Sequence, residues 1–142
     1  MPKTVEKVET FLAKHHLLSL ATSSDNLPQS ASLFYAYDPE RIAFVVASDE
    51  KTQHIKNVLS NPNVSGTVAL ETDVIGKIEG IQFIGTMEML QNNEGECYFE
   101  AFAYAKVMKP QLWLIRLEHI KLTDNRLGFG TKLYWDRSDL EK

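Results

Sequence analysis

Short apolar segments joined by tight turns fill the first third of the sequence, and they constrain the fold more than any other feature. The segments LLSLATSS (17–24), QSASLFYAY (29–37) and IAFVVAS (42–48) are separated by DNLP and DPER, which consist of turn-forming residues. These connections are too short for a helical crossover. The three segments therefore predict consecutive antiparallel strands.

The rest of the chain continues the pattern. Further strands are predicted at 64–70, 78–90, 112–122 and 131–135. The long segment 78–90 contains Gly80 and Gly85, and glycines inside a strand indicate a bulge, a bend or the close approach of another group.

Three helices are predicted between these strands. The first begins at Thr4, the second follows Lys51 and ends before Asn61-Pro62, and the third covers 94–108. We therefore expect a mainly β fold, a small antiparallel β-barrel with α-helices on its outside, as a single domain over residues 1–142.

Composition excludes several classes of partner. The 142 residues are 44% hydrophobic, the formal net charge is -4, and Cys97 is the single cysteine. An intramolecular disulfide is impossible, which fits a reducing compartment. A broad nucleic-acid surface would need a basic face, and a membrane span would need ~18 apolar residues in a row. We expect a cytoplasmic protein with neither a nucleic-acid nor a membrane partner.

No residue pattern announces a catalytic centre. The four histidines include no pair at a metal-ligand spacing with a supporting carboxylate, so no metal site is expected. Cys97 lies among aromatic residues, and a small buried hydrophobe is the favoured interpretation over a nucleophile. The chain contains neither a serine nucleophile elbow nor a G-x-G-x-x-G sequence after a strand. The catalytic residues are left unassigned.

The segment SDEKTQH (48–54) joins a strand to a helix and carries hydroxyl and basic side chains. Free main-chain N–H groups at a helix start attract anions, and Lys51 with a hydroxyl would complete a phosphate site. The alternative is that Ser48 or Thr52 is an ordinary N-cap, with the two neighbouring acids balancing the helix dipole. Glu50, four residues before His54, predicts a favoured imidazolium.

The C-terminal TDNRLGFGTKLYW (123–135) is the second unusual stretch. Gly128 and Gly130 flank Phe129 and permit main-chain conformations closed to other residues. The segment is either an ordinary hairpin loop or a loop folded against a ligand, with Lys132 reaching back to it.

The order of these elements resembles the pyridoxamine 5′-phosphate oxidase-like family, whose fold is the FMN-binding split β-barrel. The resemblance covers residues 4 to 136. Within it, TVEKVETFLAKHHLLSLAT, EKTQH, GIQFIG and KLTDNRLGFGTKLYW are similar to the YhbP-like branch of that family.

The resemblance implies a homodimer with FMN at the subunit interface. A strand equivalent to 30–35 runs under the isoalloxazine ring, Gly80 or Gln82 of the other subunit lies near the ring, and the phosphate lies where the helix after Lys51 begins. The residues implied to hold the cofactor are Ser32, Leu33, Phe34, Tyr35, Ala47, Ser48, Lys51, Thr52, Gln53, His54, Gln82, Thr123 and Lys132.

The chain departs from the oxidase itself at three places. The basic pair at the phosphate is replaced by Gln53-His54, and the basic ends of the ring-contacting strand by Ser30 and Tyr35. The substrate-phosphate arginine and histidine fall at Gly128 and Gly130. Oxidation of pyridoxamine phosphate is therefore not expected.

The sequence leaves three functions open. The leading hypothesis is an FMN-dependent oxidoreductase, in which the flavin carries the chemistry and the barrel positions it. The alternatives are a non-enzymatic split-barrel dimer that binds haem or flavin for sensing or storage, and a structural dimer without a ligand.

Overall fold

The computed structural model describes residues 3–91 and 93–141, and this part of the chain contains three α-helices and seven strands. None of the helices within it is long and apolar enough to cross a membrane. The helices are α1 (Lys3–Ala13), α2 (Gln53–Ser60) and α3 (Glu96–Ala101). The strands are β1 (Leu17–Ser24), β2 (Leu27–Asp38), β3 (Ala43–Ala47), β4 (Asn63–Ala69), β5 (Glu79–Met89), β6 (Leu112–Asp124) and β7 (Lys132–Asp136).

A two-residue turn joins β1 to β2. Asp25 and Asn26 both have positive φ, 53° and 64°. Positive φ at both central positions is the requirement of the type I′ turn, whose twist matches that of the flanking strands. The turn fixes the long register between β1 and β2, from Leu17 opposite Phe34 to Ser24 opposite Leu27.

The sheet closes on itself through β6. All seven strands form one antiparallel sheet in the order β3-β2-β1-β4-β5-β6-β7, with an additional pairing between β3 and β6. Residues 112–116 of β6 pair with β3, and residues 119–123 pair with β7, while β5 occupies the other edge. Two short strands thus share one edge of β6, and the barrel is split between them.

Arg137 spans the gap between those two strands. Its Nε donates to the main-chain oxygen of Leu117 at 2.7 Å, and its terminal nitrogen donates to the oxygens of Arg41 and Ile42, each at 2.8 Å. The guanidinium also lies over the Trp135 ring, 5.7 Å from its centroid. One cation therefore donates to three carbonyls at the boundary between β3 and β7, of which that of Ile42 also accepts from the nitrogen of Leu117.

The barrel interior and a second apolar layer form the core. α1 buries Val5, Val8, Phe11 and Leu12 against the barrel, as its helical spacing requires. The second layer lies outside the barrel, where α3 covers β2, β3 and the first half of β6. Its buried members are Ala36, Ala43, Val45, Leu90, Tyr98, Leu112 and Leu114.

A β-bulge interrupts the pairing of β5 with β6. Ile84 lies opposite His119 and Gly85 opposite Leu117, so Glu118 is the extra residue. A Cβ atom on Gly85 would lie 2.3 Å from the main-chain oxygen of Arg116. The bulge and the close approach that the glycine predicts are therefore both confirmed.

The sequence predicts one continuous helix over 94–108, and this prediction is wrong. α3 ends at Ala101, and a separate 3₁₀ helix follows from Ala103 to Met108. Phe102 between them has a non-helical conformation, with φ -133° and ψ 69°. Its ring contacts Tyr98 and Phe34, with centroids 5.0 Å and 5.6 Å away. We attribute the break to this packing, which outweighs local helix propensity.

We predict that Arg137→Ala lowers the free energy of unfolding by about 2 kcal/mol, because hydrogen bonds from a charged donor to partly buried carbonyls are lost. Urea denaturation measures the loss. Arg116→Ala is the control. Arg116 is half-exposed and pairs with Glu118 at 3.4 Å, so its removal should change stability by less than about 1 kcal/mol. Equal losses in the two variants would contradict a structural role for Arg137.

Candidate functional site

Thr52 caps the start of α2. It has an extended conformation, and its Oγ1 accepts a hydrogen bond from the main-chain nitrogen of Ile55 at 3.4 Å. The same hydroxyl donates to the main-chain oxygen of Asp49 at 2.8 Å, and Asp49 in turn accepts from the nitrogen of Lys51 at 2.8 Å. The N-cap interpretation of Thr52 is confirmed, and Asp49 closes the turn that precedes the helix.

Two main-chain donors at this helix start remain open. In the described part of the chain, neither the N–H of Gln53 nor that of His54 makes a hydrogen bond. The side chain of Lys51 is exposed, and among the described residues it has neither an ion pair nor a hydrogen bond. Two free N–H groups and a lysine at the positive end of the helix dipole form an arrangement that attracts an oxyanion.

His54 lies between two hydroxyl groups. Its Nε2 is 2.5 Å from Ser48 Oγ and 3.3 Å from Thr52 Oγ1. Burial lowers the pKa of His54 below its ordinary value of 6.5. The expectation from Glu50 of a favoured imidazolium is therefore wrong for the protein without a ligand, because desolvation of the ring is the dominant effect.

Ser48 is held by its main chain, which leaves its hydroxyl for His54. Its nitrogen donates to the oxygen of Gln111 at 3.1 Å, and its oxygen accepts from Trp113 Nε1 at 2.9 Å. Ala47, just before it, packs against the apolar layer under α3.

The Gln53 side chain points into a polar network of its own. Its Nε2 donates to Asn57 Oδ1 at 2.9 Å, and Asn57 Nδ2 lies 3.1 Å from Thr22 Oγ1 and 3.4 Å from Gln29 Oε1. This network ties α2 to the β1–β2 hairpin. A ligand at the helix start would therefore contact the main-chain N–H of Gln53, because the side-chain amide of Gln53 is already hydrogen-bonded to Asn57.

The predicted residues on β2 divide between two faces. Ser32 and Phe34 lie on the outer face, where Phe34 is 57% exposed. Leu33 packs against the core, and Tyr35 is buried with its hydroxyl donating to Leu12 O at 2.8 Å. Burial raises the pKa of Tyr35 above its ordinary range. Only the main chain of Leu33 and Tyr35 remains for a ligand.

The outer face carries a groove across five strands, and its lining combines polar side chains with a larger apolar surface. The strand register aligns Ser32, Ser19, Thr67, Gln82 and Lys121 in one row. The groove has a volume of about 620 Å³. It is lined by Ser19, Leu20, Ala21, Ser30, Ser65, Gly66, Thr67, Gln82, Phe83, Ile84, His119 and Lys121.

Thr123 and Lys132 are direct partners in the β6–β7 pairing. Lys132 Nζ donates to the main-chain oxygen of Gly130 at 3.2 Å, so the lysine folds back on its own loop. Gly128 and Gly130 have φ of 129° and 75°, which confirms the unusual conformation that the sequence indicates. Phe129 between them is 84% exposed.

The structure thus gathers the predicted residues into two groups. Ala47, Ser48 and the residues 51–54 surround the start of α2. Ser32, Phe34 and Gln82 lie on the outer face, with the Thr123–Lys132 pair further along the same sheet.

Sequence reasoning missed His119 and Lys121, which line the groove. In LWLIRLEHIKL, the buried core positions are 113, 115 and 117 and then 120 and 122. This change of parity was a readable sign of the bulge, and it turns both residues outward.

Three kinds of similarity to known proteins bear on this site. The family described as Pyridoxamine 5'-phosphate oxidase matches residues 4–123. A UPF0306 protein from Cronobacter sakazakii is 37% identical over 139 residues, which is 95% of this chain and 96% of that relative.

Solved structures share the fold at low identity. The haem-binding protein of Mycobacterium smegmatis superposes with a TM-score of 0.78 at 18% identity, over 96% of this chain and 59% of that one. A FAD-binding protein from Mesorhizobium loti superposes with a TM-score of 0.67 at 18% identity, over 81% of this chain and 88% of that one. With the closed antiparallel sheet, these matches confirm the split β-barrel.

The lowered pKa of His54 predicts a pH-dependent stability. The unfolded chain binds a proton at His54 before the folded chain does, so folding loses stability as pH falls below about 6.5. His54→Gln removes this contribution of His54 to the pH dependence of stability. Wild type should therefore lose stability relative to the variant between about pH 7 and about pH 5 in urea titrations. A relative gain for wild type at low pH would show instead that Glu50 governs the ring.

Proposed function

This chain belongs to the pyridoxamine 5′-phosphate oxidase family, in its YhbP-like UPF0306 branch, and from that premise we propose that it binds FMN and acts as a flavin-dependent oxidoreductase. One observation carries the proposal: the open N–H groups of Gln53 and His54 lie next to the exposed Lys51 at the start of α2. This is a fit for the flavin phosphate, which is a dianion with several acceptor oxygens.

Each residue at the helix start has a defined part in holding the phosphate. The two main-chain donors hydrogen-bond to its oxygens, and Lys51 contributes the positive charge. Thr52 keeps the helix start in place through its cap on Ile55. The Ser48 hydroxyl and the His54 ring remain together beside the phosphate and supply further polar contacts.

The ring belongs against the outer face of β2 in this proposal. Ser32 offers a hydroxyl there and Phe34 an exposed aromatic surface. Bound FMN supplies hydride or single-electron transfer. The protein orients the ring and excludes water, and a second subunit over this face, contributing its Gln82, completes the enclosure.

The proposed reaction is not the oxidation of pyridoxamine phosphate. Gln53 and His54 stand where the oxidase carries its basic pair, and the Gln53 amide is engaged with Asn57. Gly128 and Gly130 stand where its substrate-phosphate residues are expected and offer no side chain. This chain therefore lacks the side chains with which the oxidase is expected to hold the phosphate of its substrate.

Haem binding is the second candidate, and an aromatic cluster favours it. The His16 ring meets Phe102 edge-on with centroids 6.3 Å apart, and Phe102 contacts the exposed Phe34. Haem requires an axial ligand such as histidine, and its porphyrin favours apolar surroundings. The absorption spectrum of the protein titrated with haemin and, separately, with FMN distinguishes the two candidates.

We predict that Lys51→Ala weakens FMN binding by about tenfold or more, because a charge-assisted hydrogen bond contributes about 1.5–3 kcal/mol. Riboflavin, which lacks the phosphate, should bind the variant and the wild type equally. Flavin fluorescence titration gives both dissociation constants. The control is Lys56→Ala, which removes the same charge from an exposed position further along α2. Equal losses for FMN and riboflavin would place Lys51 away from the phosphate.

We also predict a homodimer formed through the outer face. Leu17, Phe34 and Ile84 are 52%, 57% and 55% exposed there, and such patches mark interaction surfaces. Sedimentation should give twice the chain mass of 16.1 kDa.

A charge on this face should dissociate the dimer. Ile84→Lys is expected to shift sedimentation toward the single chain, whereas Leu59→Lys, at a site on α2 that is 64% exposed, should not. A wild type that sediments as a single chain at micromolar concentration would refute the dimer.

A further inference from the structure

We propose that the groove on the outer face binds the anionic group of a small organic molecule, a carboxylate or a phosphate ester, through Lys121 and His119. The inference rests on the proposed function in one respect: the anion is assigned to the molecule that reacts with the flavin. The binding itself follows from the groove.

The bulge at Glu118 makes the site. If Glu118 occupied a regular strand position instead of a bulge, strict alternation from the buried Leu117 would carry His119 and Lys121 into the core. With the bulge, both side chains line the groove, while Ile120 and Leu122 are buried. Bulges often re-aim side chains beside binding sites.

Lys121 is a cation without a counter-ion. It is half-buried and lines the groove, and within residues 3–91 and 93–141 it has no ion pair or hydrogen bond. The carboxylates beside it on the sheet are engaged, since Glu118 pairs with Arg116 at 3.4 Å and Asp136 with His119 at 2.8 Å. A half-buried ammonium that is unpaired in a groove favours an external anion there.

His119 has one ring nitrogen available. Its Nδ1 contacts Asp136 Oδ1 at 2.8 Å, and its ring lies 6.2 Å from that of Tyr134. Asp136 and Tyr134 together fix the ring, so Asp136 is a positioning residue. Among the described residues Nε2 has no partner, and in the imidazolium form of the ring its N–H is a donor for an anion.

The remaining walls combine polar groups with apolar surface and fit a small organic molecule that has both. Ser19, Ser30, Ser65 and Thr67 present hydroxyl groups, and Gln82 presents an amide. Hydroxyls and an amide hydrogen-bond the neutral polar atoms of a ligand, while the lysine and histidine select its anionic end. About 620 Å³ is the size of an ordinary small-molecule site.

The test is a titration followed by ¹H–¹⁵N correlation spectra of the intact protein. Inorganic phosphate and benzoate serve as probes of the two anion classes, each added at constant ionic strength. We expect saturable shifts of the main-chain signals of Ser19, Thr67 and Lys121 with at least one probe. Response to phosphate alone assigns a phosphate ester, and response to benzoate alone a carboxylate.

Two variants that lose the same charge decide whether Lys121 binds the anionic probe. Lys121→Gln should lower the affinity for the probe that binds by about tenfold or more. Lys7→Gln, an exposed position on α1, should leave its affinity unchanged. His119→Ala should also lower the affinity for the probe, because it removes the second proposed contact in the same groove. If neither probe shifts the groove signals, or if both lysine variants weaken binding equally, the inference is overturned.

Flavin titration of the same samples separates this inference from the proposed function. Wild type that binds the anion but not FMN overturns the flavin proposal and leaves the anion site standing. If Lys121→Gln weakens FMN as much as the probe while riboflavin is unaffected, the groove holds the flavin phosphate, and the inference of a separate anion site is wrong.

Discussion

The pairing of one long strand with three neighbours governs this molecule. β6 gives one edge to β5 along nearly its whole length and divides the other edge between β3 and β7. The change from one partner to the other leaves carbonyls at the boundary without a strand partner. The guanidinium of Arg137 meets that need, and the barrel is closed by a side chain where main chain does not suffice.

Both candidate ligand regions depend on this same strand. At one end of β6, Trp113 and the adjacent Gln111 hold the main chain of Ser48, which sets the position of the α2 start. At the other end, His119 and Lys121 reach the groove. The spacing between the two regions is therefore set by a rigid, centrally paired element, which is the placement that a precise binding site needs.

Sequence alone predicted the barrel because its strands obey local rules. Alternation and turn residues act within a few positions, so the strands could be predicted, although β2 begins at Leu27 and not at 29, because Asp25 and Asn26 alone form the predicted DNLP turn. The continuity of α3 could not be predicted, because the break at Phe102 depends on ring contacts with Phe34, distant in sequence. The Thr52 cap was local and readable, whereas the protonation of His54 depends on burial that appears only when α2 packs against the barrel. Leu33 and Tyr35 were included by strand position, and their inward direction follows from the barrel's own parity.

The extra residue in β6 changes which positions of the strand face the interior. Upstream of Glu118 the odd-numbered side chains fill the interior, and downstream the even-numbered ones do. A chain shortened by that single residue would place His119 directly after Leu117 and return the strand to simple alternation, with Ile120 and Leu122 still inside and both His119 and Lys121 still outside. A one-codon deletion at Glu118 would therefore keep the direction of the neighbouring side chains and remove only the bulge, with the local bend and added twist that it gives the strand.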